Sequence, residues 1–111
     1  GRKLKIENFY DKVIKFDFNE LCNKYLGSED YISIANTCDF IFIENLPDFN
    51  EDNSNQQQRF ITLIDIIYEK KIPLMITSKL NLESINSSKS MKEPFKRTIS
   101  RLYELTSINF N

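Results

Sequence analysis

Two nearly continuous apolar runs, DFIFIEN over 39–45 and IPLMITS over 72–78, flank one helix-length block, QQQRFITLIDIIYEKK. No other feature constrains the fold as tightly. Runs without polar alternation belong to strands covered on both faces, the habit of parallel sheets. Two parallel strands need a crossover of about a dozen residues or more, and the block between them supplies it as a helix over about 56–71. Strand, helix and strand joined by short connections close right-handed, so the fold class is α/β. Phe60, Ile61, Leu63, Ile64, Ile66, Ile67 and Tyr68 wrap more than one face of that helix, which places it between the sheet and another helix. Pro47 closes the first run.

On either side of this unit the patterns are shorter. KVIKFDF, residues 12–18, alternates and is rich in Val, Ile and Phe, so it reads as a further strand. A short helix follows from Asn19, with Leu21 and Cys22 facing inward, and ends near Gly27. Ser28 is placed as the N-cap of the next helix, with Glu29 and Asp30 in its first turn. NSSKSMKE, residues 86–93, reads as a loop, and Pro94 suits the first turn of a C-terminal helix carrying FKRTISRLYEL. The expected architecture is a small parallel sheet with a strand-helix-strand crossover and flanking helices. A length of 111 residues fits a single domain. The expected core comprises Phe40, Phe42, Phe60, Leu63, Ile64, Ile67, Leu74, Ile76, Ile99 and Leu102.

In the last helix Phe95, Ile99, Leu102 and Tyr103 form one stripe, while Arg97 and Arg101 lie one turn apart on the opposite face. Like charges at that spacing repel by about 0.2–0.5 kcal/mol. An anion should offset the repulsion: the carboxylate of Glu104, Asp65 or Asp30, or a phosphate. Asp65 interrupts the apolar face of a helix expected to be buried, and a buried carboxylate persists only when paired or hydrogen-bonded. Asp65, Asp30 and Tyr31 are therefore read as structural polar residues.

Much chemistry is excluded by composition. The chain has no histidine, which removes the usual general base, the Ser-His and Cys-His pairs and most zinc sites. Its two glycines, Gly1 and Gly27, are far apart, so neither a P-loop nor a dinucleotide fingerprint can be built. Asp48, Glu51 and Asp52 sit among asparagines and Ser54 in a loop, and read as solvated turn residues. No catalytic residue, metal site or cofactor is expected in this stretch. A net charge of -1 argues against nucleic acid as a partner. Basic residues between 79 and 101 and acidic residues between 44 and 69 read as two solvated faces that attract each other. Cys22 and Cys38 form no disulfide framework, which suits a reducing compartment. No apolar run reaches the length of a membrane span and the start lacks a signal sequence, so the expectation is cytoplasmic.

The central unit also has the look of the second half of a P-loop ATPase core, in which a Walker B strand ends in acids and a later strand carries a sensor residue. Glu44 would take the acidic position, and Thr77 or Ser78 the sensor position. Ordinary strand ends in α/β proteins show the same pattern.

Taken in order, GRKLKI, FDFNELC, LGSEDYISIA, FIFIENLP, RFITLIDIIYEKKIPLMITS and FKRTISRLYEL resemble the carboxy-terminal region of the ZapE-type (Afg-one-like) ATPases, a P-loop, AAA-related family of bacteria and mitochondria. The resemblance covers essentially the whole chain. It departs from the family's pattern at Gln58-Arg59-Phe60, where Arg-Arg-Phe is usual, at Thr77-Ser78-Lys79, where small residues are usual, and at Glu104-Leu105, where Glu-Met is usual. The resemblance implies the C-terminal part of a longer ATPase, whose P-loop core lies outside this sequence and is its first partner. ATP and magnesium would belong to that parent protein, which would remodel other proteins and form a homo-oligomer. Bacterial members are linked to cell division at the inner face of the membrane, so a cell-division or membrane protein is a further implied partner.

In AAA-type machines a helix after the core often supplies an arginine to the nucleotide phosphates, because a guanidinium fork matches phosphate oxygens. Arg97 and Arg101, then Arg59, are the candidates for nucleotide-phosphate sensing or subunit coupling, and structural pairing with carboxylates is the other reading. A rival from another class is a docking module with no part in ATP chemistry. It would use the loop from Pro47 to Asn55 or the basic stretch from Lys89 to Lys96.

Overall fold

Three strands, each short and rich in β-branched or aromatic residues, lie side by side in the order β1-β2-β3, and both pairings are parallel. The computed structural model describes residues 12–22 and 26–106, so the GRKLKI block and residues 23–25, on the way to the expected helix end near Gly27, lie outside the described residues. The elements run β1 (Val13–Asp17), α1 (Phe18–Cys22), α2 (Ser28–Thr37), β2 (Phe40–Leu46), α3 (Ser54–Lys70), β3 (Leu74–Ser78) and α4 (Lys92–Thr106). Single 3-10 turns at Glu51–Asn53, Leu82–Ser84 and Lys89–Met91 punctuate the connections. The expected α/β class and the parallel pairing of the two apolar runs across a helix are both present.

The sheet register sorts the strand residues into two faces. Ile14 pairs with Ile41 and Ile41 with Leu74, and Phe16 with Ile43 and Ile43 with Ile76. This face meets the helices in one buried cluster, which takes in Leu63 and Ile64 of α3, Tyr31 of α2 and Phe95 and Leu102 of α4. The opposite face carries Val13, Lys15 and Asp17 of β1, Phe40, Phe42 and Glu44 of β2, and Met75 of β3. Phe40 is buried there, whereas Phe42 stays half-buried, as does Ile76 at the edge strand and Ile99 on α4.

Several local expectations shift for clear reasons. Gly27, not Ser28, is the N-cap of α2: its carbonyl accepts from Tyr31 N–H at 3.1 Å, and the Asp30 carboxylate accepts from Gly27 N–H at 2.8 Å. The crossover helix begins at Ser54, earlier than the apolar pattern, because the side chains of Asn50 and Asn53 organise the turn that feeds it. The buried stripe of α4 is Phe95, Thr98, Leu102 and Leu105, and Tyr103 is 46% exposed. A residue directly after Leu102 is turned about a quarter of the way round the helix, so it leaves the stripe, and its phenol donates to Glu83.

Two connections are stapled together. Phe49, in the loop after β2, is fully buried in a ring cluster with Phe18, Phe60 and Phe95, at centroid spacings of 5.4–6.1 Å. Asp48 accepts from the Asn86 backbone and side-chain amides, and Glu51 accepts from Lys89 N–H at 2.8 Å. Both acids are solvent-exposed, as expected of turn residues, and they also anchor the two connections to each other. Gln57, fully buried in the first turn of α3, donates to Ser87 Oγ at 2.7 Å and accepts from Ser88 N–H at 3.1 Å.

Candidate functional site

Residues at the carboxyl ends of parallel strands are where open α/β sheets bind ligands. Here the ends of all three strands are tied by one residue. β2 bulges between Ile43 and Leu46, and Asn45 takes a left-handed backbone, φ 64°. Asparagine tolerates that region better than most residues. Its side chain donates to Asp17 of β1 at 2.6 Å, and its backbone N–H donates to the Thr77 hydroxyl of β3 at 2.9 Å. The Asn45 amide, and after it Asn19 N–H, holds the Asp17 carboxyl below the usual carboxylate range. Glu44 faces Lys15 at 3.6 Å, and the Ser78 hydroxyl donates to the Leu46 carbonyl at 3.0 Å. The residues read as acidic and sensor positions are thus brought to one edge of the sheet, joined by Asp17 and Asn45, which sequence reasoning did not select. An asparagine between an acid and Leu-Pro was the available signal, since it marks a chain that must turn.

The arginines fall into three different settings. Arg101 of α4 donates through Nη1 to Asp65 Oδ1 of α3, with side chains 25% and 39% exposed. Its guanidinium carbon also lies 4.6 Å from the centre of the Tyr68 ring. Tyr68 in turn hydrogen-bonds Glu104, which pushes its phenol up. Asp65, Tyr68, Arg101 and Glu104 therefore knit the outer edges of α3 and α4 together. Arg97, one turn earlier, is exposed and makes no hydrogen bond or ion pair to a described residue. Around it Lys89, Lys92 and Lys96 are also exposed, and Lys96 pairs with Glu93 at 3.1 Å.

Arg59, half-buried on α3, lines a cleft of about 280 Å³ with Tyr31, Asn55, Gln58 and Thr62, where α3 passes the start of α2. Tyr31 is fully buried, and its hydroxyl donates to the Leu21 carbonyl at 2.7 Å. Burial pushes the Cys22 thiol up to about 12 and raises the Tyr31 phenol, with the Arg59 charge acting against both. Cys38 is raised by burial as well. Among the described residues no group of His, Cys, Asp or Glu could hold a metal ion, and no helix is long and apolar enough to cross a membrane.

The family model described as AFG1-like ATPase matches residues 1–111. This chain belongs to the AFG1-like ATPase family. The chain is similar to Lactation elevated protein 1 homolog B of Danio rerio, 31% identical over 85 residues that cover 77% of this chain and 17% of the relative. Cell division protein ZapE of Escherichia coli K12 is 26% identical over 106 residues, covering 96% of this chain and 28% of the relative. The chain thus spans less than a third of the length of these relatives. No solved structure matches it.

Proposed function

We propose that this chain is an accessory region of an AFG1-like, ZapE-type ATPase, and that it presents Arg97 for nucleotide sensing or subunit coupling while ATP and magnesium sit on a P-loop core elsewhere in the parent protein. The observation that supports this reading is the contrast between two arginines one turn apart. Arg101 is engaged by Asp65 and the Tyr68 ring and so fixes the helix, whereas Arg97 is held outward on a helix that cannot easily rotate. A pre-positioned guanidinium without a protein carboxylate suits a phosphate that arrives from another domain or subunit. Arg59 is second, in its cleft beside Tyr31, and Glu44, Thr77 and Ser78 serve the strand ends.

In the full polypeptide encoded by the gene, Arg97→Ala should lower ATP turnover by about tenfold or more while leaving the unfolding temperature unchanged. Unchanged turnover would remove Arg97 from nucleotide chemistry. These 111 residues alone should not bind magnesium-ATP, because P-loop affinity comes from successive backbone amides of a glycine-rich loop, a lysine and a coordinated magnesium ion. Micromolar binding in a calorimetric titration of the isolated chain would contradict the assignment as a dependent region.

The second reading, a docking module for a cell-division or membrane partner at the cytoplasmic face of the inner membrane, draws on the exposed basic group Lys89, Lys92, Lys96 and Arg97. Under that reading Arg97→Ala lowers partner binding and leaves ATP turnover intact.

A further inference from the structure

Both crossovers in this sheet step in the same direction, β1 to β2 to β3, and right-handed crossovers that step one way put their helices on one side. That is the side of Ile41 and Ile43, where all four helices contribute to a common buried cluster. The other side of the sheet carries no helix among the described residues. Its rows run Val13 beside Phe40, then Lys15, Phe42 and Met75, then Asp17 beside Glu44. Phe40 is buried, but Val13, Phe42 and Met75 are half-buried and stand outside the core cluster. Lys15, in the middle row, keeps 53% of its side chain exposed.

A purely parallel sheet normally has both faces covered by helices, and the unbroken FIFI run of β2 is the sequence of a strand covered on both. The relatives that match this chain carry more than two-thirds of their length outside the matched stretch, ample for such a cover. We propose that the face bearing Lys15, Phe42 and Met75 is the seat of an amphipathic helix from another part of the same, longer polypeptide. Its apolar stripe packs on Phe42, Met75 and Val13. Asp17 and Glu44 outnumber Lys15 at the polar end, so the helix carries a lysine or arginine opposite them. This rests on the reading of the chain as one region of a larger ATPase, and it adds the surface through which that region is joined to the rest.

The test places a benzoylphenylalanine photo-cross-linker at position 15 of the full polypeptide and maps the cross-linked peptide. Position 15 is chosen because its exposed side chain and weak ion pair leave the fold little affected. The expected product is an intramolecular cross-link to a peptide outside these 111 residues. In parallel, Lys15→Cys should react with a maleimide at least tenfold more slowly than Ser100→Cys, an exposed position on α4. A cross-link within residues 1–111, a cross-link to a second copy, no cross-link, or equal labelling rates would each overturn the proposal. ATP turnover of the same preparation separates the two claims. Turnover without the cross-link removes the docking face and spares the ATPase reading, whereas the cross-link without turnover does the reverse.

Discussion

At the scale of single residues, the most consequential contact is the one Arg101 makes with Asp65 beneath the Tyr68 ring. Half-exposed ion pairs contribute little on their own, about 0–1 kcal/mol. The added ring contact brings roughly 0.5–1 kcal/mol. Arg101→Ala should therefore cost about 0.5–2 kcal/mol in urea denaturation, and a double-mutant cycle with Asp65→Asn should show the coupling. Ser88 offers the opposite case. Its hydroxyl is buried with no hydrogen-bond partner, so Ser88→Ala should raise stability by about 1 kcal/mol. Carboxylates set the acid limit. Asp17 and Glu83 have their folded pKa values depressed, the first by Asn45 and the second by Tyr103, so their contribution is complete above the unfolded carboxylate range, near pH 4, and is lost as pH falls from there through the lower folded values. The double variant Asn45→Ala, Tyr103→Phe should show a shallower loss of stability between about pH 4 and pH 2 than the parent chain.

At the scale of elements, α3 ends as its sequence allows but not as it would prefer. Lys71 caps it in the left-handed region, φ 56°, where its N–H reaches the Ile67 and Tyr68 carbonyls. Glycine pays no Cβ penalty there, so Lys71→Gly should stabilise the chain by about 0.5–1 kcal/mol, read from the thermal midpoint. Strands β2 and β3 and helix α3 were legible in the sequence because burial on both sides leaves continuous apolar runs and helical periodicity leaves a wide apolar band. The end of α4 was not: Tyr103 and Leu105 are both apolar enough to fit the stripe, and only the packing of α4 into the common core chooses Leu105. Phe42 looked like core for a different reason. Its strand reads as covered on both faces, and the described residues cover one.

At the scale of the whole molecule, the polar site was legible only in part. Glu44, Thr77 and Ser78 stand at strand ends by pattern alone, but Asn45 joins Asp17 to Thr77 across 28 and 32 residues of sequence, a relation that no local window contains. The same holds for Gln57, which lay in a run of three glutamines with nothing to distinguish the buried one. Its bond to Ser88 has a consequence for how the molecule breathes. Residues 85–88 belong to no helix or strand, so their amides would ordinarily exchange with solvent on the timescale of loop motion. The Ser88 amide is instead shut against a side chain rooted in the first turn of α3, and it can open only when that turn lets go. In a hydrogen-deuterium exchange experiment it should behave as a clock for the unravelling of a helix to which it does not belong.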